Sequence, residues 1–392
     1  MIEINFLKNN KFKVYANLKK KKYFFRIKIF NYLINIKKIF LKKIYSLNKF
    51  RKNNKILILK KYIIKFFSIN KNYVKKINKN LKILLLKIPN LIHYLVLKKN
   101  KTVKNKKYIK NNINRKFNFN SNIGVLTSGR GFSFITSPLS LLYSKIENYI
   151  FNLHLEENNY KYIIVPNIMN FKSLINSGQI PKFIKKLFII RNKDKIKYLI
   201  PTSEVSLLNF LIKKNINSNF IPLKLISKTN CYRNEIISYG LNNKNIIKQK
   251  QFDKIELVNF VDNKNSYRYL KELIKNVEKI LKNLKISYRI IILSKKDISY
   301  ISNITYDLEI WIPSINNYCE VSSCSNFQNY QSLRSKIKYK LKKKSEYIST
   351  INGSALAIGR IFLSVLENYY FNNKIIIPKV LKKYFKIKYI KI

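Results

Sequence analysis

Acidic side chains are scarce in this chain of 392 residues: 18 Asp and Glu stand against 80 Lys and Arg, a formal net charge of +62. That balance points to a polyanionic partner, nucleic acid or an anionic membrane surface. Compositional drift accounts for part of the excess, because the dominant residues (Lys, Asn, Ile, Tyr and Phe) all have AT-rich codons. Glycine (7), proline (8) and tryptophan (1) are few as well, which makes the places where glycine and proline do occur informative. The three cysteines, Cys231, Cys319 and Cys324, cannot build a disulfide framework and suit a reducing compartment. With only two histidines beside them they make a poor zinc set. No run of ~18 apolar residues is free of charge, so a membrane span is not expected. The N-terminus has early lysines and no uninterrupted apolar core of the signal-peptide kind. A soluble, cytoplasmic chain is the expectation.

Apolar residues make up 46% of the chain, a globular composition with ample capacity for a core. The charge is unevenly spread. Residues 1–146 carry 37 Lys and Arg and a single acid, Glu3, whereas 17 acids fall in 147–392. Residues 24–87 contain no glycine or proline and alternate short apolar groups with lysines. This pattern predicts two antiparallel helices around a turn at 51–55. The expected domains are a basic helical arm at 1–96, a basic linker at 97–120 and a catalytic body at 121–392.

From 121 onward Gly, Ser and Pro return. "TSPLSLLYSKIENYIF" predicts a helix with Ser137 as N-cap and Pro138 at its first position. "YKYIIVPNIMNF" reads as a strand interrupted by Pro166. "ISKTNCYRNEI" and "QKQFDKIELVNF" read as paired strands, "SYRYLKELIKNVEKILKNL" as an amphipathic helix, and "DLEIWIPSINNYCEVSSCSN" as strand, turn, strand. Strands flanked by helices without βαβ alternation argue for an α+β fold on an antiparallel sheet.

Period-two alternation gives the acids a meaning. Arg233 and Glu235 share one strand face, and Phe252, Lys254 and Glu256 share a face of the next strand. A guanidinium fork matches phosphate, an aromatic ring stacks on a base, and a carboxylate accepts from an amine. An ion-paired sheet surface explains the same spacing equally simply. Glu320 with Ser322 and Ser323 is a hard-oxygen set suited to Mg²⁺ beside phosphate. Thr202 and Glu204 in "PTSEVS" put a hydroxyl and an acid on one strand face. "NGSALAIGR" places Asn352 and Ser354 in a tight segment before a helix whose second turn carries Arg360.

Taken together and in order, "PTSEVSLLNFL", "CYRNEIISYG…KQKQFDKIELV", "DLEIWIPSINNYCEVSSCSNFQNYQSLR" and "NGSALAIGRIFLSVLENY" resemble the seryl-tRNA synthetases, class II aminoacyl-tRNA synthetases. Arg233 and Glu256 stand 23 residues apart, as in that family's motif 2. "LEENNYKYIIVPNIMNFKSLINSGQIPKF" resembles motif 1, the dimer-forming segment. The likeness is dense over about residues 120–380. Earlier it is confined to "LKNNKFKVYANLKKK" and "LLLKIPNLIHYLV", which look like the two ends of the family's helical arm.

The resemblance implies a class II antiparallel sheet flanked by helices, with an N-terminal helical hairpin, acting as an ATP-dependent serine–tRNA ligase. It implies Arg233, Glu320 and Arg360 as catalytic residues. Arg233 would grip the ATP α-phosphate, Glu235 would read the adenine amine, and Phe252 would stack under adenine with Arg360 on the far side. Asn234, Gln249, Val321 and Ser322 would complete the ATP site, and Glu320 and Ser323 would hold Mg²⁺. Thr202, Ser203 and Glu204 would take the serine ammonium and carboxylate, together with Arg233. Glu256, Asn352 and Ser354 would close on the serine side chain. The implied partners are L-serine, tRNA(Ser) along the basic arm, with tRNA(Sec) left open as a second acceptor, and a second copy of the chain.

The sequence departs from the family pattern at "TSEVS" for "TAEVP", "GSA" for "GSG", "LNNKN" in the motif 2 loop, and Lys250 where a histidine is frequent. These departures bear on the grip on the tRNA acceptor end more than on adenylate formation. Two alternatives stay open at this point: a synthetase-like ligase that loads a carrier protein, and a basic RNA-binding module with a decayed site.

Overall fold

The computed structural model describes residues 1–53, 57–108, 117, 121–192, 195–234, 244–341, 344–385 and 387–391. Its contacts divide the chain into two compact units, Met1–Leu91 and Ile92–Ile392. The first is helical: α1 (Ile4–Asn9), α2 (Lys11–Lys20), α3 (Ile27–Asn53) and α4 (Leu57–Leu86). At 1.5 Å per residue, the 27 residues of α3 and the 30 of α4 span ~40 and ~45 Å. They run antiparallel, since Phe30 and Ile34 near the start of α3 share a core with Ile77, Leu81 and Leu85 near the end of α4. Farther along, Phe40 stacks on Tyr73 with ring centroids 5.2 Å apart. Spacings of four and three residues at Ile77, Leu81, Leu85 and Ile88 keep one stripe buried and leave the lysines in water. Leu7, Val14 and Leu18 of the two short helices close the same core.

The second unit is built on an eight-stranded sheet. Its strands are β1 (Lys101–Lys106), β2 (Lys161–Tyr162), β3 (Leu223–Tyr232), β4 (Gln251–Val261), β5 (Tyr288–Ile292), β6 (Ile304–Ile312), β7 (Asn317–Gln328) and β8 (Ser349–Ala357). The order across the sheet is β1-β5-β6-β7-β8-β4-β3-β2. Every neighbouring pair is antiparallel except β2 with β3. The helices α5 (Leu139–Glu156), α6 (Glu204–Phe210), α7 (Ser266–Asn283) and α8 (Ile358–Asn368) belong to this unit. On α7, Leu270, Leu273, Ile274, Val277 and Leu281 recur at helical spacing and meet Ile255, Leu257 and Ile351 of the sheet in one core. Ile255 and Leu257 occupy that apolar face, so alternation turns Phe252 and Lys254 to the other. That opposite face carries the site.

Several local expectations are corrected. Residues 101–106, read as linker, pair with β5 and form the edge of the sheet; a Lys-rich strand suits an exposed edge because its charges oppose further pairing. The helix expected to start at Pro138 begins at Leu139, with Pro138 as its cap residue and no side-chain cap bond. "YKYIIVPNIMNF" forms two short strands, 161–162 and 168–170, on either side of Pro166 rather than one.

Gly353 sits where β8 crosses beneath α7. A Cβ added there would lie 2.4 Å from a Leu273 methyl and 3.1 Å from the Cys324 sulfur. Gly353→Ala should therefore destabilise the protein by ~1–3 kcal/mol, seen as a lower denaturant midpoint with an unchanged m-value. Adding Leu273→Ala should return part of that loss, because the flexible leucine methyl is the nearest obstacle. A single mutant that melts with the wild type would contradict this packing.

Candidate active site

A cleft of about 350 Å³ opens on the sheet face opposite α7. Its walls come from separate parts of the chain. Thr202 and Glu204 stand at the start of α6, Arg233 just past the end of β3, and Phe252 and Lys254 on β4. Glu320, Val321 and Ser323 come from β7, Asn352 and Ser354 from β8, and Arg360 from the first turn of α8. Gln249 lines the cleft from the segment before β4 and donates to the Ser133 hydroxyl at 2.8 Å.

The deepest part is a buried polar cluster around Glu256, which has no exposure to solvent. One of its carboxylate oxygens accepts from the Thr202 hydroxyl at 2.8 Å and pairs with the Lys254 ammonium; the other accepts from the Asn352 amide at 2.5 Å. Asn352 and Ser354 lie on β8 beside β4, where Ser354 is the direct cross-strand partner of Glu256. A buried charge is tolerated when it is paired and its lone pairs are filled, and Glu256 meets both conditions. It therefore sits one layer behind the cleft wall and acts on the cleft through Thr202, Lys254 and Asn352.

Glu204 is the second buried acid. Burial, and then the neighbouring Glu256 charge, push its pKa up to about 7, while the Gln331 amide, Lys254 and Arg233 hold it back. The Gln331 amide donates to its carboxylate at 2.5 Å. Arg233 donates from Nε to the Pro201 carbonyl at 3.4 Å, and its guanidinium carbon lies 5.3 Å from the centre of the Phe252 ring. Arg360 is held at both ends of its guanidinium, donating to the Ile247 carbonyl at 3.1 Å and the Glu320 carbonyl at 2.5 Å.

On β7 simple alternation fails. Val321, Ser323, Ser325 and Phe327 line the cleft, and so does Glu320, out of phase with them. The cause is a register slip against β6 between Leu308 and Glu309, where Ser322 and Glu320 face consecutive residues. Ser322, opposite in phase to Val321 and Ser323, turns away and donates to the Ser354 carbonyl at 2.7 Å. It does not line the cleft as expected. Ser203 is fully buried outside the cleft, and its hydroxyl finds no partner among the described residues. Thr202 and Glu204 belong to a turn and the helix it opens, not to a strand face, and Asn352 and Ser354 stand on a strand rather than in a tight turn. β3 ends at Tyr232, so Arg233 and Asn234 follow the strand, and Asn234 is exposed away from the cleft. Glu235 lies outside the described residues.

Three contributors were not anticipated as site residues. Lys254 is flagged by the period-two run from Phe252 to Glu256. Asp307, on β6 beside Ser323, is an acid inside an apolar strand of an acid-poor chain. Burial and the nearby Glu320 charge push its pKa up to about 8. Gln331 gave no signal in the sequence, because its role depends on the approach of a helix that is distant along the chain.

The tRNA synthetase class II core domain (G, H, P, S and T) matches residues 186–369. A serine–tRNA ligase of Phytoplasma mali (strain AT) is 35% identical over 401 residues, covering 96% of this chain and 92% of that protein. One from Hydrogenobaculum sp. (strain Y04AAS1) is 38% identical over 323 residues, covering 77% of this chain and 75% of its own length. The chain belongs to the serine–tRNA ligases. It is thus a class II aminoacyl-tRNA synthetase, and the carrier-loading and decayed-site alternatives are not favoured. Seryl-tRNA synthetase from Pyrococcus horikoshii, solved complexed with ATP, has the same fold: the TM-score is 0.90 at 22% identity, over 100% of this chain and 99% of that one.

The raised Glu204 pKa has a consequence for stability. An acid that binds its proton more tightly when folded adds stability below its unfolded pKa, and that contribution is lost as pH rises through the folded value. Between the ordinary value of 4.5 and about 7, the unliganded wild type should lose up to roughly 3 kcal/mol relative to Glu204→Gln. Urea unfolding of both proteins at about pH 5 and about pH 8 measures this difference. A difference that does not change with pH would contradict the buried acid.

Proposed function

We propose that this cleft forms seryl-adenylate from serine and ATP and passes the seryl group to the 3′ end of tRNA(Ser). The observation that carries this reading is the convergence of Thr202, Glu204, Arg233, Phe252, Glu320, Ser323, Asn352, Ser354 and Arg360 on one cleft. Glu204 and Thr202 suit the serine ammonium, and Asn352 and Ser354, backed by Glu256, suit its hydroxyl. Arg233 faces both subsites, because it adjoins Pro201 on one side and the Phe252 ring on the other. Adenine would stack on Phe252, with Arg360 fixed by the two carbonyls at the opposite side.

The chemistry needs no protein nucleophile. The serine carboxylate attacks the α-phosphorus in line and pyrophosphate leaves. The Arg233 guanidinium offers a preorganised fork for the charge that develops on the phosphoryl oxygens. The terminal adenosine hydroxyl of tRNA then attacks the seryl carbonyl and AMP leaves. Glu320 and Ser323 are hard oxygen donors, and a single carboxylate plus a hydroxyl suits Mg²⁺ that shares its remaining positions with phosphates and water. Mg²⁺ bound there would offset phosphate charge in the substrate and the leaving pyrophosphate.

The basic helical unit supports RNA as partner, with exposed lysines interspersed with exposed Tyr32, Tyr45 and Phe66. Contacts of that kind follow the phosphate backbone and weaken with salt. Around Pro166, Tyr162, Ile164, Ile168 and Phe171 are exposed, Ile164 by 83%, which supports a second copy of the chain as the partner of this segment. Among the described residues no helix is long and apolar enough to cross a membrane; we place the enzyme in the cytoplasm, where its tRNA substrate is. The acceptor is tRNA(Ser), and tRNA(Sec) is a second acceptor to be tried in the same assay.

Serine-dependent exchange of pyrophosphate into ATP tests the reading directly. Arg233→Ala should lower it by at least about 10²-fold, since the variant loses the charge stabilisation of the transferring phosphoryl group. Exchange at the wild-type rate would remove Arg233 from the mechanism. Replacing residues 24–86 by a short flexible linker should leave adenylate formation within a few-fold of wild type. The same deletion should cut aminoacylation of tRNA(Ser) severely. Unchanged charging would mean that the basic helices do not hold the tRNA.

A further inference from the structure

Ser323 and Asp307 are direct cross-strand partners on β7 and β6, so their side chains leave the sheet on the same face. Ser323 lines the cleft, whereas Asp307 stands behind it at 7% exposure. Among the described residues the buried Oδ1 atom of Asp307 has no hydrogen-bond partner, and the Ser323 hydroxyl is the side chain in reach of its carboxylate. Two residues along the same strand, Glu309 is neutralised by Arg289, whose Nε donates to it at 2.5 Å. Among the described residues no such cation pairs with Asp307; its charged neighbours are Glu320, Glu309 and Asp297. An apolar strand has therefore kept a buried carboxylate among other carboxylates, an arrangement that costs stability without a compensating positive charge.

We infer that Asp307 is a positioning residue for the divalent-cation site: it accepts the Ser323 hydroxyl proton and so aims the hydroxyl oxygen at the cation. The inference rests on the assignment of Mg²⁺ to Glu320 and Ser323. A serine hydroxyl has one proton and two lone pairs. Once a lone pair is given to a cation, the proton needs an acceptor on the opposite side, and the Asp307 carboxylate is across the ladder from it. The cation also supplies the positive charge that Asp307 lacks. Removing an outer partner of this kind weakens metal affinity by about 10–100-fold.

The test uses Mn²⁺ as the probe, titrated into the full-length protein with a non-hydrolysable ATP analogue and followed by the electron paramagnetic resonance signal of free Mn²⁺. Asp307→Asn keeps the shape and removes the charge. It should weaken Mn²⁺ binding by ~10-fold or more while serine affinity stays near wild type and the thermal midpoint does not fall. In pyrophosphate exchange it should raise the Mg²⁺ concentration for half-maximal rate by a similar factor, with the rate recovered at saturating Mg²⁺. Should the amide variant not fold, Asp307→Ser is expected to show the same loss. Adding Asp307→Asn to Ser323→Ala should weaken binding no further, because the carboxylate works through the hydroxyl. Wild-type Mn²⁺ affinity in Asp307→Asn, with binding lost in Glu320→Gln, overturns this inference and leaves the Mg²⁺ assignment standing. Wild-type affinity in Glu320→Gln removes the assignment itself. A uniform loss of serine, nucleotide and Mn²⁺ affinity in Asp307→Asn would mark a general structural role, which also overturns it.

Discussion

Glu256 is buried completely, and its partners come from three places in the chain: Thr202 at the entrance to α6, Lys254 on its own strand, and Asn352 on the neighbouring β8. An ionised carboxylate in such a position is stable only while those partners stay in reach. The pair β4–β8, the 200–204 turn and the side chains that line the cleft are therefore fixed relative to one another by a single charge. Removing any partner would leave a buried charge or a buried amide unsatisfied, which is more costly than the hydrogen bond it provides.

Around that anchor the cleft keeps opposite charges close but not all paired. Glu204 has the Gln331 amide rather than a cation in direct contact, with Lys254 and Arg233 acting at longer range. Arg233 and Arg360 spend their closest bonds on backbone carbonyls, which leaves their charge free to act on a ligand. In a chain with +62 net charge this matters, because a phosphate-bearing substrate is attracted almost everywhere. Orientation then comes from rigid placement: Phe252 supplies a plane, the carbonyl-held arginines supply directions, and the slipped register of β7 turns Glu320 toward the same space.

Much of this was legible beforehand where the chain's own period does the work. Phe252, Lys254 and Glu256 share a face because strand side chains alternate, and Ile255 and Leu257 confirm it from the apolar side. The two long basic helices follow from an apolar stripe uninterrupted by glycine or proline. Where one residue breaks the period, the reading failed. Ser322 is expected in the cleft because its hydroxyl stands next to Ser323, but alternation turns it to the Ser354 carbonyl. Glu320 faces the cleft only because β6 and β7 slip by one residue, a feature of the pairing and not of either strand alone. A strand face is expected for Thr202 and Glu204 of "PTSEVS", yet tertiary packing makes Glu204 the first residue of a helix. Residues 101–106 look like linker because lysines and polar residues leave no apolar periodicity, and strand pairing at a sheet edge places no demand on hydrophobicity.

By itself the sequence determined which residue types exist to do chemistry: with 18 acids in 392 residues, the carboxylates at 204, 235, 256 and 320 stand out against a basic background. It also determined the local periods that make helices and strands, since these depend on neighbours a few residues away. Only the tertiary structure decided how those residues meet. Glu256 reaches Thr202 and Asn352 over separations of 54 and 96 residues, and Gln331 reaches Glu204 over 127. Contacts at such separations depend on strand order, register and the burial of each carboxylate, and those arise from the packed sheet as a whole rather than from any segment of it.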